Sequence, residues 1–171
     1  MTGRIMGIII MLSALIAGVG LSYLQIYGFY EEVTVEDVAI VSLQTEQPET
    51  IAFDNFQAID AESSPIRYRA CFTTDLSLAF LTENYILAPD NDPRNAPTWF
   101  DCFDAAAIGA ELEAGTALTF MGAKNVRFGV DRIVAVTEDG RGYVWHELND
   151  CGDKAYDGTI VGEECPRLPE N

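Results

Sequence analysis

Histidine and positive charge are what this chain has least of. His146 is the single histidine, and ten Lys and Arg stand against 27 Asp and Glu, a formal charge of −17. So acidic a chain is a poor ligand for nucleic acid or anionic lipid, because both require a basic patch to neutralise phosphate. The charge keeps a domain soluble, and it would attract a basic partner or a cation. There is also no Cys-x-x-Cys and no Gly-x-Ser-x-Gly. With one histidine, these absences argue against a zinc site, a thioredoxin-like redox centre and the common serine-hydrolase arrangement. No metal and no cofactor is expected.

Charge is missing altogether from Ile5 to Tyr30, where Ile, Leu, Met, Val, Ala and Gly dominate. About 20 apolar residues suffice to cross a hydrocarbon core of roughly 30 Å, so this run is read as a transmembrane helix. Arg4 precedes it, Glu31 and Glu32 follow, then Glu36 and Asp37, and no Lys or Arg recurs before Arg67. The positive-inside rule then keeps the amino terminus cytoplasmic and exports residues 31–171 of a single-pass protein. Tyr23, Tyr27, Phe29 and Tyr30 cluster at the exported end, where amphipathic rings favour the headgroup level. The rival reading is a cleaved signal peptide, with Ile5 to Ile16 as its apolar core and Ala17 to Gly20 as the cleavage zone. Apolar residues continuing past Gly20 favour an anchor. Small residues one turn apart, Gly3 with Gly7 and Ala14 with Gly18, resemble a helix-packing face but are common in such spans.

All four cysteines, Cys71, Cys102, Cys151 and Cys165, lie in the exported part. An even number in an oxidising compartment implies two disulfides. Of the three pairings, Cys71–Cys102 with Cys151–Cys165 is favoured, since it closes two local loops.

The part after the span has the length of one domain, 31–171, and reads as α+β with strands in the majority. Val33 to Leu43 is β-branched enough for a strand, and Gln44 to Glu49 is a polar loop. Ile51 to Ile59 alternates imperfectly around Phe53 and Phe56. Ile66 to Phe72 alternates with period two, which puts Arg67 and Arg69 on one strand face as a candidate anion contact. Pairing with the domain's carboxylates is the simpler use of that pair. Asp75 to Leu87 is a short helix, although Tyr85 and Ile86 would suit a strand, and Pro89 to Pro97 is a loop. The aromatic cluster Trp99 to Phe103 reads as a core anchor. Asp104 is an N-cap for a helix over Ala105 to Ala114 that stops at Gly115. Leu118 to Met121 and Val126 to Val130 are strands joined by a turn at Gly122 to Asn125. Arg132 to Thr137 and Tyr143 to Leu148 form a hairpin around Asp139-Gly140. From Asn149 onward Gly and Pro dominate, and the tail ends loosely around Pro166 and Pro169.

The stretches Phe29-Tyr30-Glu31-Glu32, Arg67 to Thr74, Trp99 to Ala105 and Asp139 to His146 resemble an uncharacterised single-pass family of alphaproteobacteria, a domain of unknown function. The resemblance implies topology and no site residues. Some members carry the automatic label histidine kinase. Such a kinase needs a phospho-accepting histidine on a cytoplasmic dimerising helix and a nucleotide-binding domain. Here His146 falls in an exported strand, and the Gly-x-Gly at Gly140 to Gly142 belongs to a hairpin turn. Three expectations remain: an accessory protein without enzymatic activity that meets another membrane or envelope protein, a periplasmic ligand-binding or sensing module, and a hydrolase without a recognisable motif.

Overall fold

Residues 3–34, 37–163 and 165–166 are described here, from a computed structural model. Gly3–Tyr23 forms helix α1, which runs on through a π-helical turn, Leu24–Gly28. Together they make 26 residues, with an 18-residue stretch of mean hydropathy 2.4, and none of them is buried. At 1.5 Å per residue this is about 39 Å, enough to cross a bilayer core. In the π turn the Phe29 N–H reaches back five residues to the Leu24 carbonyl, at 3.1 Å.

No linker follows. β1 (Glu31–Val33) starts two residues after the helix gives way and becomes an edge of a six-stranded antiparallel sheet. The other strands are β4 (Asp54–Asp60), β5 (Arg69–Thr73), β6 (Ala117–Arg127), β7 (Val130–Thr137) and β8 (Arg141–Leu148), in the spatial order β1-β4-β5-β8-β7-β6. β2 (Ala39–Val41) and β3 (Pro48–Thr50) pair as a separate two-stranded sheet. Residues 85–88 tie the two sheets together. The Ile86 N–H donates to Val41, whereas Ala88 donates to Thr119 and Met121 to Ile86 across β6.

Both faces of the large sheet are covered, which explains why β7 and β8 read as nearly continuous apolar runs. The inner face carries Ala70, Phe72, Phe120, Val134, Val136 and Val144 and is closed by Val38, Ile40, Ile51 and Leu81. Leu81 comes from helix α2 (Leu78–Asn84), which Ser77 caps by accepting from the Phe80 N–H. On the outer face Ile59, Cys71, Ile133, Ala135, Tyr143 and Trp145 meet Phe100, Phe103 and Ile108. Ile108 belongs to helix α3 (Ala105–Ala114), whose Asp104 cap and left-handed Gly115 stop agree with the sequence reading. Trp145, Phe120 and Ile133 are among the largest fully buried side chains, each contributing on the order of 2–3 kcal/mol by leaving water.

The architecture is the α+β arrangement expected, a long apolar helix followed by a strand-rich domain with two disulfides. Four local readings need correction. Gly122 to Asn125 is not a turn, because β6 runs through it with bulges on either side of Ala123. Asn125 takes φ 49°, a conformation that asparagine tolerates, and its N–H donates to the buried Asp131 Oδ1 at 2.7 Å. The chain turns instead at Phe128-Gly129, where Gly129 has φ 74°. The expected strand over 33–43 is two strands in different sheets, with residues 35–36 outside the described set. β3 begins at Pro48, inside the expected loop, and β4 begins only at Asp54. The loose end at Pro169 also lies outside the described residues.

Candidate functional site at the exit of the apolar helix

A helix end leaves carbonyls without intrahelical partners. At this one the Ile26 carbonyl accepts from the Trp99 indole N–H at 2.7 Å, across 73 residues of sequence. The same indole stacks on Tyr27, with ring centroids 6.2 Å apart, and meets the Tyr30 ring edge-on at 5.9 Å. Tyr27 stacks in turn on Tyr23. The Arg67 guanidinium lies 5.5 Å from the Tyr30 ring centroid. Trp99 packs, partly buried, against the outer-face core as expected and is in addition a side-chain cap on the helix, a role the sequence does not reveal because its partner is a backbone atom. Its neighbours Phe100 and Phe103 are buried as expected.

What holds Trp99 in place is the first disulfide. Cys71 on β5 is bonded to Cys102, three residues after Trp99. Between this loop and the sheet edge lies a cleft of about 370 Å³. Trp99, Phe100 and Phe56 supply aromatic walls, and Glu32 and Asp101 supply carboxylates.

Arg67 and Arg69 are not the side-by-side pair the alternation suggests. β5 starts at Arg69, so Arg67 precedes the strand. Arg69 is 4% exposed, and its guanidinium donates to four carbonyls, those of Ile66, Tyr68, Arg94 and Asn95. Desolvation pulls its pKa down to about 10. A guanidinium so engaged ties the Pro89 to Pro97 loop to the sheet, and it lines none of the clefts described here. Arg94, from that loop, pairs in turn with Glu147 on β8.

His146 is also structural. Its Nδ1–H donates to the Pro65 carbonyl at 2.8 Å and its Nε2 accepts from Arg132 Nε at 3.2 Å, the tautomer that satisfies both neighbours. Its ring stacks on Tyr68 at 4.8 Å, with the Arg132 guanidinium over the other ring. Burial lowers its pKa to about 4, against the Pro65 hydrogen bond, so the imidazole is neutral at pH 7. The second disulfide, Cys151–Cys165, staples a small tail hairpin around Asp157-Gly158, in which Ala155 donates to Thr159 and Val161 to Asp153. The four cysteines thus form the two local bridges favoured by spacing.

The model of a family of unknown function, DUF6446, matches residues 38–166, from just before β2 to the residue after the last cysteine. The chain belongs to that family. No curated protein and no solved structure matches it. The DUF6446 match covers Trp99, both disulfides, Arg69 and His146 but stops short of the apolar helix. The joint is therefore built from a family domain and a segment outside the match. Among the described residues of this DUF6446 protein, no group of three or more His, Cys, Asp or Glu is placed to hold a metal.

Proposed function

We propose that this protein is a non-enzymatic accessory protein of the inner membrane. Its N-terminal helix is the anchor, its amino terminus is cytoplasmic, and its acidic domain stands in the periplasm to meet another membrane or envelope protein. The observation that carries this reading is the Trp99 cap on the Ile26 carbonyl. With no linker after Tyr30, the cap and its aromatic neighbours hold the domain at a set position against the helix. That arrangement suits a protein whose role is to present a surface at the membrane face. The disulfides favour an oxidising, exported compartment, and the charge step from Arg4 to Glu31 and Glu32 favours the orientation. The neutral, doubly bonded His146 has no free nitrogen to offer as acid or base.

The test places a photoreactive amino acid at Asp101, in the wall of the cleft, and at Glu83 on α2, in cells expressing the full chain. A cross-link at 101 to one membrane protein in fixed proportion, absent at 83, supports the reading. A monomer that cross-links to nothing at either position overturns it. A second reading, ligand binding or sensing, draws on the same cleft, whose aromatic walls and two carboxylates suit a cationic group better than an anion.

A further inference from the structure

The register of the large sheet fixes which of its ends faces the helix. Glu31, one residue after Tyr30, pairs with Asp60, and Ile59 pairs with Arg69, which pairs with Trp145. Three residues past Trp145, β8 ends at Leu148, which pairs with Val130, and Val130 pairs with Arg127 around the Phe128-Gly129 turn. The helix exit, the end of β8 and the β6–β7 tip therefore belong to one end of the sheet. Strands are about 4.8 Å apart, so Leu148 stands about 14 Å and the tip about 20–25 Å to the side of β1. Contacts bridge part of that span: Arg67 lies on Tyr30, Arg69 holds the Ile66 and Arg94 carbonyls, and Arg94 pairs with Glu147, beside Leu148.

This end exposes apolar side chains beside the charged Asp150, Asp153 and Asp157 of the tail. Phe128 is 49% and Leu148 59% exposed, although both lie next to the fully buried Val130. The stapled hairpin leaves from the same end, since Asn149 donates to the Gly129 carbonyl and Lys124 pairs with Glu163. It adds Tyr156, Ile160 and Val161, all exposed. Arg127, beside Phe128, is exposed too, an arrangement in which the ring can enter the acyl boundary while the guanidinium stays at phosphate level.

We propose that this end is a second membrane contact: Phe128 and Leu148, flanked by the stapled hairpin, seat in the interfacial layer of a phospholipid bilayer beside the span. The bilayer is the occupant because the same end holds the helix exit and its ring of Tyr23, Tyr27, Tyr30 and Trp99, and because no linker lets it move away. The contact is apolar, consistent with a chain too acidic to bind anionic lipid by charge. It requires the helix to be inserted, and the test reports on insertion separately.

The full chain is reconstituted into nanodiscs of neutral phosphatidylcholine, with and without bromine on the acyl chains, as wild type and as Phe128→Trp, Leu148→Trp and Phe80→Trp. Native Trp99, at the helix end, reports insertion, and buried Trp145 supplies a constant background. Phe80 lies on α2, which follows the opposite end of β5. The expected result is loss of the emission added at 128 and at 148 in brominated lipid, with that at 80 retained. Quenching of Trp99 without loss at 128 and 148 overturns this contact and leaves the anchor intact. Equal loss at all three added positions overturns it as well, and failure to quench Trp99 overturns the anchor and the contact together. Intact disulfides in each variant, checked by non-reducing mass analysis, confirm the fold.

Discussion

Cys71–Cys102 closes 31 residues and Cys151–Cys165 closes 14, so loop entropy alone assigns them similar weights, about 4 and about 3 kcal/mol. Their surroundings are very different. Cys71 is 7% exposed within the outer-face core, among Ile59, Phe100, Phe103 and Trp145, and its bridge presses the Trp99 loop onto the sheet. The second bridge encloses no core, and Tyr156, Ile160 and Val161 stay exposed around it. One disulfide strengthens packing that already exists, whereas the other stands in for packing that is missing. A cross-link stabilises whichever unit would open without it, and here the units differ in size.

The largest effect is therefore expected from replacing Cys71 and Cys102 together with Ser. About 3–4 kcal/mol should be lost from the cooperative unfolding of the whole domain, read by denaturant titration of the detergent-solubilised chain. Next comes pH, which acts on the sheet through His146. The folded pKa of His146 is depressed to about 4 from an unfolded value near 6.5, so the unfolded state takes up the proton first. Stability from this group is fully present above about pH 6.5 and is lost as pH falls towards 4, by roughly 2–3 kcal/mol between pH 7 and 4.5. His146→Gln should flatten that part of the profile. If wild type and variant fall equally over this range, carboxylates alone govern the acid limb.

Replacing Cys151 and Cys165 with Ser should move the global midpoint by less than about 1 kcal/mol while amide exchange over residues 150–163 accelerates strongly. A global loss as large as that of the first pair would erase the distinction drawn above. The smallest effect on the midpoint is that of Trp99→Phe, which keeps a ring against Tyr27 but removes the indole donor. Roughly 0.5–1.5 kcal/mol of local stability should disappear, seen as faster exchange at residues 26–33 with an unchanged domain midpoint.

The sequence disclosed the features that rest on local chemistry. An uncharged run gives a long helix, Asp104 and Gly115 bound α3, Asp139-Gly140 turns β7 into β8, and loop size favours the observed disulfides. It misled where local signals compete with pairing. Gly122 looks like a turn residue, yet a Cβ there would lie 3.0 Å from the Arg132 carbonyl and from Val134, so the glycine serves close strand approach instead. The alternation around Arg67 and Arg69 misled because Tyr68 to Phe72 are all buried, and the uses of the two arginines depend on carbonyls 25 and 26 residues away and on a tyrosine at the helix end. Trp99 could not be assigned either, because nothing in a sequence marks a backbone oxygen 73 residues upstream as a partner.

The direct passage from Gly28 to Glu31 also makes the molecule a lever. β8 is eight residues long, about 27 Å at 3.4 Å per residue, so a change of 10° in helix tilt carries the far end of the sheet through about 5 Å. A chain with a flexible tether would absorb such a tilt in its linker. With the helix inserted as proposed, a difference of a few ångströms in bilayer thickness, which helices accommodate by tilting, would be carried to Asp139 and the turn around it.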